Sequence, residues 1–144
     1  MDQGNFGWIR LATGAAAVAV ILLAGWWFAG CGSRAGVETM DVRRAQLMIS
    51  RASGGNTLVV LDVRTPEEFA AGHLAGALNI DYKAADFRNR VAQLDKTKEY
   101  VVYCRSGRRS MEAAKIMAEL GFPKLYNVAG GINDWTAAGF PTEK

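Results

Sequence analysis

The chain has 144 residues, half of them apolar and 22% charged, with a formal charge of +3. That is the size of one ordinary domain with an extra segment. Two cysteines, Cys31 and Cys104, and a single histidine, His73, give no metal-ligand spacing, so no structural zinc is expected; nor does a long basic stripe interleaved with aromatics point to a nucleic-acid partner.

Residues 11–33 carry no charge, and the run from Leu11 to Phe28 (LATGAAAVAVILLAGWWF) is long enough to span a bilayer as a helix. Arg10 precedes it, and Trp26 and Trp27 suit a membrane interface. The run ends Phe28-Ala29-Gly30-Cys31. A charged start, an apolar core and small residues before a cysteine resemble the lipobox of bacterial lipoprotein signals, with Phe28 where that family prefers Leu. The resemblance implies cleavage before Cys31, lipidation of Cys31, and a membrane-attached domain on the periplasmic side. The other reading is an uncleaved single-pass anchor with Cys31 a bystander. Arg34, Arg43 and Arg44 outnumber Arg10, which on loop charge alone keeps the domain cytoplasmic, although long domains translocate largely regardless of such charge. Residues 1–31 are therefore read as signal or anchor, 32–36 as a small polar tether, and 37–144 as the domain.

Asp41 is placed to cap a helix whose apolar residues Ala45, Met48, Ile49 and Ala52 share one face, with Ser53-Gly54-Gly55-Asn56 ending it. Leu58 to Val63 (LVVLDV) is an apolar run broken by one acid, the pattern of a parallel strand buried on both faces. Thr65 as N-cap, Pro66 at the first position and Glu68 closing a capping box start a short helix that stops at Gly72. Gly76 to Ile80 reads as a short strand. Phe87, Val91 and Leu94 mark one face of the next helix.

Tyr100 to Tyr103 is a β-branched and aromatic run that delivers Cys104. A tight basic loop follows (Arg105, Ser106, Gly107, Arg108, Arg109), and then a helix with Ala113, Ile116, Met117 and Leu120 inside and Gly121 and Pro123 at its end. Lys124 to Val128 is the last strand. Gly130-Gly131-Ile132-Asn133-Asp134-Trp135 opens a closing helix that ends near Gly139, with Trp135 in the core. Strands alternating with helices argue a parallel sheet covered on both faces. That order sets Cys104 at the C-terminal edge of the sheet, where open α/β folds bind ligands. Inward N–H groups, the helix start and Arg105, Arg108 and Arg109 make an anion site, which holds a thiol as thiolate near neutral pH.

Four segments in this order, Leu61–Phe69 (LDVRTPEEF), Gly72–Asn79 (GHLAGALN), Val102–Ser110 (VYCRSGRRS) and Gly130–Trp135 (GGINDW), resemble a rhodanese-homology domain, the single-domain thiosulfate sulfurtransferase family, over residues 37–141. The resemblance implies an α/β fold with an open five-stranded parallel sheet and helices on both faces. It also implies a persulfide carried on Cys104, with residues 105–109 as the cradle. Asp62 and Arg64 read as a buried charge pair near the site. His73 reads as a packed turn residue rather than a base, because the loop already supplies a thiolate.

The expected reaction moves sulfane sulfur from thiosulfate or a similar small sulfur-containing anion to cyanide or a thiol, with no metal or organic cofactor and no need for more than a monomer. A phosphatase or arsenate reductase on the same fold is the rival enzyme. Phosphatase relatives carry an arginine at the sixth position after the cysteine, where this chain has Ser110, with Arg109 one position earlier. A reductase needs a resolving cysteine, for which Cys31 is the one candidate. A non-enzymatic persulfide carrier or partner-docking module is the alternative from another class.

Overall fold

The computed structural model describes residues 36–52, 55 and 57–144. The apolar run, Cys31 and the tether as far as Ala35 lie outside the described residues, as do Ser53, Gly54 and Asn56. Among the described residues no helix is long and apolar enough to cross a membrane.

Ten elements alternate along the chain: β1 (Val37–Met40), α1 (Val42–Ala52), β2 (Leu58–Asp62), α2 (Pro66–Ala70), β3 (Leu78–Asn79), α3 (Phe87–Ala92), β4 (Glu99–Tyr103), α4 (Arg108–Glu119), β5 (Leu125–Val128) and α5 (Gly131–Ala137). The sheet order is β1-β5-β4-β2-β3 and every pairing is parallel. The open five-stranded parallel sheet with helices on both faces is therefore present.

Strand alternation sorts the core onto the two faces. Tyr100, Val102 and Cys104 point to the face covered by α3 and α4, where Phe87, Val91, Ala113, Ala114 and Met117 are buried. Val101 and Tyr103 point to the other, covered by α1 and α5 through Val42, Ala45, Ile132 and Trp135. Val101 and Val102 are wholly buried, as a central strand between two helix layers requires. Each such side chain contributes about 1.5–3 kcal/mol by leaving water, so β4 is the firmest rail on which a reactive group can be mounted.

Two elements differ from the sequence reading. Val37–Met40, taken there only as the start of the domain, is an edge strand paired with β5. Its outward residues Glu38 and Thr39 are exposed, so no alternating apolar pattern marks it. The strand expected over Gly76–Ile80 shrinks to Leu78–Asn79, because Gly76 is in the left-handed region at φ 68° and Ala77 N–H closes a turn on Leu74 O at 3.0 Å. The helix starts hold to their chemistry: Asp41 Oδ1 accepts from Arg44 N–H at 2.8 Å, and the Thr65–Glu68 capping box is complete.

Candidate active site

Cys104 is the first residue past β4 and is 1% exposed, at the foot of the loop that leads into α4. Gly107 N–H donates to its sulfur at 3.2 Å, and Ser110 Oγ lies 3.5 Å from it. Burial alone pushes the Cys104 thiol up, but the Ser110 hydroxyl and the N–H groups of Ser110, Ser106 and Gly107 outweigh it and bring the pKa below the usual thiol value. The donors reach the sulfur because α4 begins on a glycine. Gly107 sits at φ 91°, has no side chain to cap the helix, and leaves the first N–H groups of α4 turned into the loop. A Cβ at Gly107 would lie 3.0 Å from Val128 O, so both the φ and the space require glycine there.

The loop is held from outside by α5. Ile132 N–H donates to Cys104 O at 2.9 Å and Asn133 N–H to Arg105 O at 3.2 Å. With its carbonyls tied outward, the loop turns its amides inward, as an anion nest needs. Gly131 allows this approach, since a Cβ there would run into Cys104 O and the Arg105 carbonyl carbon. The glycine pair in the closing motif thus has a mechanical reason. Behind the sulfur, Ser110 Oγ also lies 2.6 Å from Asn127 Oδ1, so Asn127 and the sulfur share the one hydroxyl proton; both residues are buried, one at the start of α4 and the other on β5.

The three arginines separate. Arg109 gives both terminal nitrogens to Glu68, at 2.8 Å each. That hydrogen-bonded guanidinium holds the Glu68 carboxyl at about 2, against the upward push of burial. In turn Glu68, with Cys104 as a lesser contributor, raises Arg109. Arg105 and Arg108 are exposed and enter no ion pair with a described residue. They line a cleft of about 470 Å³ with Thr65, Glu68, Lys83, Ser106 and Arg109. That lining carries four cations and one carboxylate, a strongly positive cleft walled by the loop that follows Cys104. Another cleft, about 460 Å³, lies at the N-terminal edge of the sheet among Leu47, Met48, Thr57, Leu58 and Glu99, far along β2 and β4 from Cys104 and without a thiol.

Asp62 and Arg64 form a buried bidentate pair, with Arg64 Nη2 at 2.6 Å from Asp62 Oδ2. Burial works against the Arg64 charge, but Asp62 more than compensates, so Arg64 is raised. The guanidinium also donates to Gly72 O at 2.7 Å and lies over the Tyr103 ring. Burial raises the Tyr103 hydroxyl, which accepts from Leu74 N–H. This knot ties the end of β2 to the α2–β3 turn and makes no hydrogen bond to Cys104. His73 stacks on Phe69, pairs Nδ1 with Phe69 O at 3.1 Å, and bridges through its backbone to Glu143. Its contacts are those of a turn, and none reaches the loop. Among the described residues no cluster of His, Cys, Asp and Glu is placed to hold a metal ion.

Four site residues escaped the sequence reading: Glu68, Lys83, Ser110 and Asn127. The sequence reads Glu68 as a helix cap and gives it no partner in the loop. Ser110 closes the Val102–Ser110 segment and stands where a phosphatase has arginine, and neither reading gives it a part at the sulfur, although a hydroxyl in the first turn after a cysteine loop is a readable signal. Lys83 and Asn127 come from distant segments and carry no local sign.

A family model described as rhodanese-like domain matches residues 45–138. The YtwF protein of Bacillus subtilis is 45% identical over 99 residues, covering 69% of this chain and 92% of that protein. Thiosulfate sulfurtransferase 16, chloroplastic, of Arabidopsis thaliana is 37% identical over 93 residues, covering 58% of this chain and 78% of that protein. The crystal structure of a rhodanese-related protein from Thermoplasma volcanium superposes with a TM-score of 0.63 at 29% identity, covering 74% of this chain and 97% of that one.

Proposed function

The chain belongs to the rhodanese-like domain family, and from that premise we propose that it is a sulfurtransferase moving sulfane sulfur from thiosulfate or a similar anion to cyanide or a thiol through a Cys104 persulfide. The observation that carries the reading is the buried Cys104 sulfur, met by Gly107 N–H and the Ser110 hydroxyl, in a loop whose next residues wall a cationic cleft. In the first step the Cys104 thiolate attacks the outer sulfur of thiosulfate. The new S–S bond forms as the old one breaks, sulfite leaves with the bonding pair, and the terminal sulfur carries the negative charge. The loop N–H groups are fixed donors for that charge. In the second step cyanide attacks the terminal sulfur, thiocyanate leaves, and the thiolate returns. Atoms and electrons balance without an outside oxidant. The similarity to a named thiosulfate sulfurtransferase supports thiosulfate as donor.

The test is ping-pong thiocyanate formation by the full chain, with the mass of one added sulfur found on Cys104 after thiosulfate alone. Cys104→Ser should show neither. Loading without turnover to small acceptors would make the protein a carrier that serves one partner. Aryl-phosphate hydrolysis without loading would overturn the reading in favour of a phosphatase.

For the N-terminal segment we propose cleavage before Cys31, lipidation of Cys31 and a periplasmic, membrane-tethered domain, on the ground of the apolar run followed by Ala29-Gly30-Cys31. Cys31→Ala should leave the unprocessed precursor in the membrane fraction. An N-terminus at Met1 in both proteins would favour the uncleaved anchor instead.

A further inference from the structure

Glu68 is committed twice. Its Oε2 accepts from Thr65 N–H at 3.2 Å, which closes the cap of α2, and the same carboxylate takes both terminal nitrogens of Arg109. A guanidinium has a planar fork that matches a carboxylate or a tetrahedral oxyanion in two parallel hydrogen bonds. In this protein that fork is filled from within. Arg109 stands in the first turn of α4, beside Ser106 and Arg108 on the wall of the cleft, and its side chain is 15% exposed. Its charge stays beside the thiol while the paired donors at the tip of the fork, one N–H on each terminal nitrogen, are spent on Glu68. The cations left without a described carboxylate partner, Lys83, Arg105 and Arg108, are long exposed side chains that attract anions by field rather than by a fixed fork.

We propose that Glu68 is a specificity-determining residue: by occupying the Arg109 fork it denies tetrahedral oxyanions a bidentate grip over Cys104. The proposal rests on the sulfur-transfer reading for its purpose. A site that releases sulfite each turnover gains from holding oxyanions weakly, whereas phosphoryl chemistry needs donors on each equatorial oxygen. Loop length alone does not secure this, because an arginine is already present five positions after Cys104.

The test uses inorganic phosphate as the probe and the full chain as the protein. Iodoacetamide, a neutral reagent, alkylates Cys104 at fixed pH and ionic strength, with alkylation read on the Cys104 peptide by mass, and phosphate protection gives a dissociation constant. Glu68→Ala should bind phosphate at least roughly tenfold more tightly than wild type, since a fork freed for a dianion adds two charge-assisted hydrogen bonds. Glu68→Gln should move the same way by less, because its amide oxygen still serves Thr65 N–H and one Arg109 donor. The double variant Glu68→Ala/Arg109→Lys keeps the net charge of Glu68→Ala but has no fork, and should lose most of the gain. Equal protection in wild type and both Glu68 variants would overturn the proposal. So would a gain retained in full by the lysine variant, which would assign it to the field. None of these readings needs sulfur transfer. A wild type that fails to load sulfur would sink the functional reading and leave the phosphate comparison standing.

Discussion

The inner and outer halves of one loop differ in kind. The inner half (Cys104, Gly107, Ser110) is buried, and each of the three takes part in a short-range hydrogen bond at the sulfur. The outer half (the side chains of Arg105, Ser106 and Arg108) is exposed, joined by Lys83, and its cations make no ion pair with a described residue. Inside, a low dielectric makes geometry decisive, since a donor displaced by an ångström loses most of its worth. Outside, water and salt screen each charge, so position matters little and number matters more. Arg109 lies at the boundary and is clamped by Glu68. The inner half should therefore control the chemistry and the outer half the capture of the anion.

The sharpest way to break this division is Gly107→Ala. A side chain at φ 91° is strained, and its Cβ would press on Val128 O at 3.0 Å and on Ala129 and Gly130 at 3.3 Å, all of it backbone that cannot swing aside. We expect a stability loss of about 1–3 kcal/mol from the backbone conformation, read by chemical denaturation. We also expect a roughly hundredfold loss in the rate of sulfur loading as the N–H donor leaves the sulfur. Full loading rate in a folded Gly107→Ala protein would show that the inner donors are not decisive.

The same division explains what the sequence discloses. Cys104, its loop and the helix behind it are contiguous, so strand, nucleophile and donors are legible together. The Thr65–Glu68 capping box is legible too, as a local i to i+3 pattern. The partnership of Glu68 with Arg109 is not, because 41 residues separate them and only the sheet order brings α2 beside the start of α4. Asn127 behind Ser110 is hidden for the same reason. The sheet itself was readable except where exposure removes the pattern, as in β1, whose Glu38 and Thr39 face outward. A strand leaves a burial pattern only where at least one face is covered along its length, and this edge strand is exposed at two successive residues.

A smaller effect is expected from Ser110→Ala. The hydroxyl is the leading contributor among the groups that bring the Cys104 thiol down against its burial. Its loss should move the alkylation midpoint of Cys104 to higher pH and slow loading near neutral pH by roughly tenfold, the lower end of a hydrogen bond to a charged group. Ser110→Thr, which keeps the hydroxyl, should restore the profile. Because the folded thiol has a depressed pKa, ionised Cys104 stabilises the fold above the unfolded thiol value of about 8.5. That contribution is lost as pH falls through the folded value. Ser110→Ala should narrow this pH dependence, an effect that folding curves on both sides of the thiol value would register. An unchanged alkylation profile would remove the hydroxyl from the inner half.

The smallest effects belong to the rim. Arg105→Gln and Arg108→Gln each delete one exposed, unclamped charge from a cleft that keeps the others. Neither side chain donates to the sulfur, so neither should alter the pH profile of Cys104 as Ser110→Ala does. An exposed charge interacting with a dianion is worth about 0.2–1 kcal/mol, so each variant should raise KM for thiosulfate only a few-fold while kcat holds. The discriminating variable is salt. At physiological ionic strength the screening length is about 8 Å, and at 1 M it is about 3 Å. The difference between wild type and either variant should therefore shrink towards nothing as salt rises, because what the rim contributes is field. Were Arg105→Gln to lower kcat as far as Ser110→Ala, with no relief from salt, Arg105 would be touching the reacting sulfur directly, and the boundary between the two halves would have to be moved outward past it.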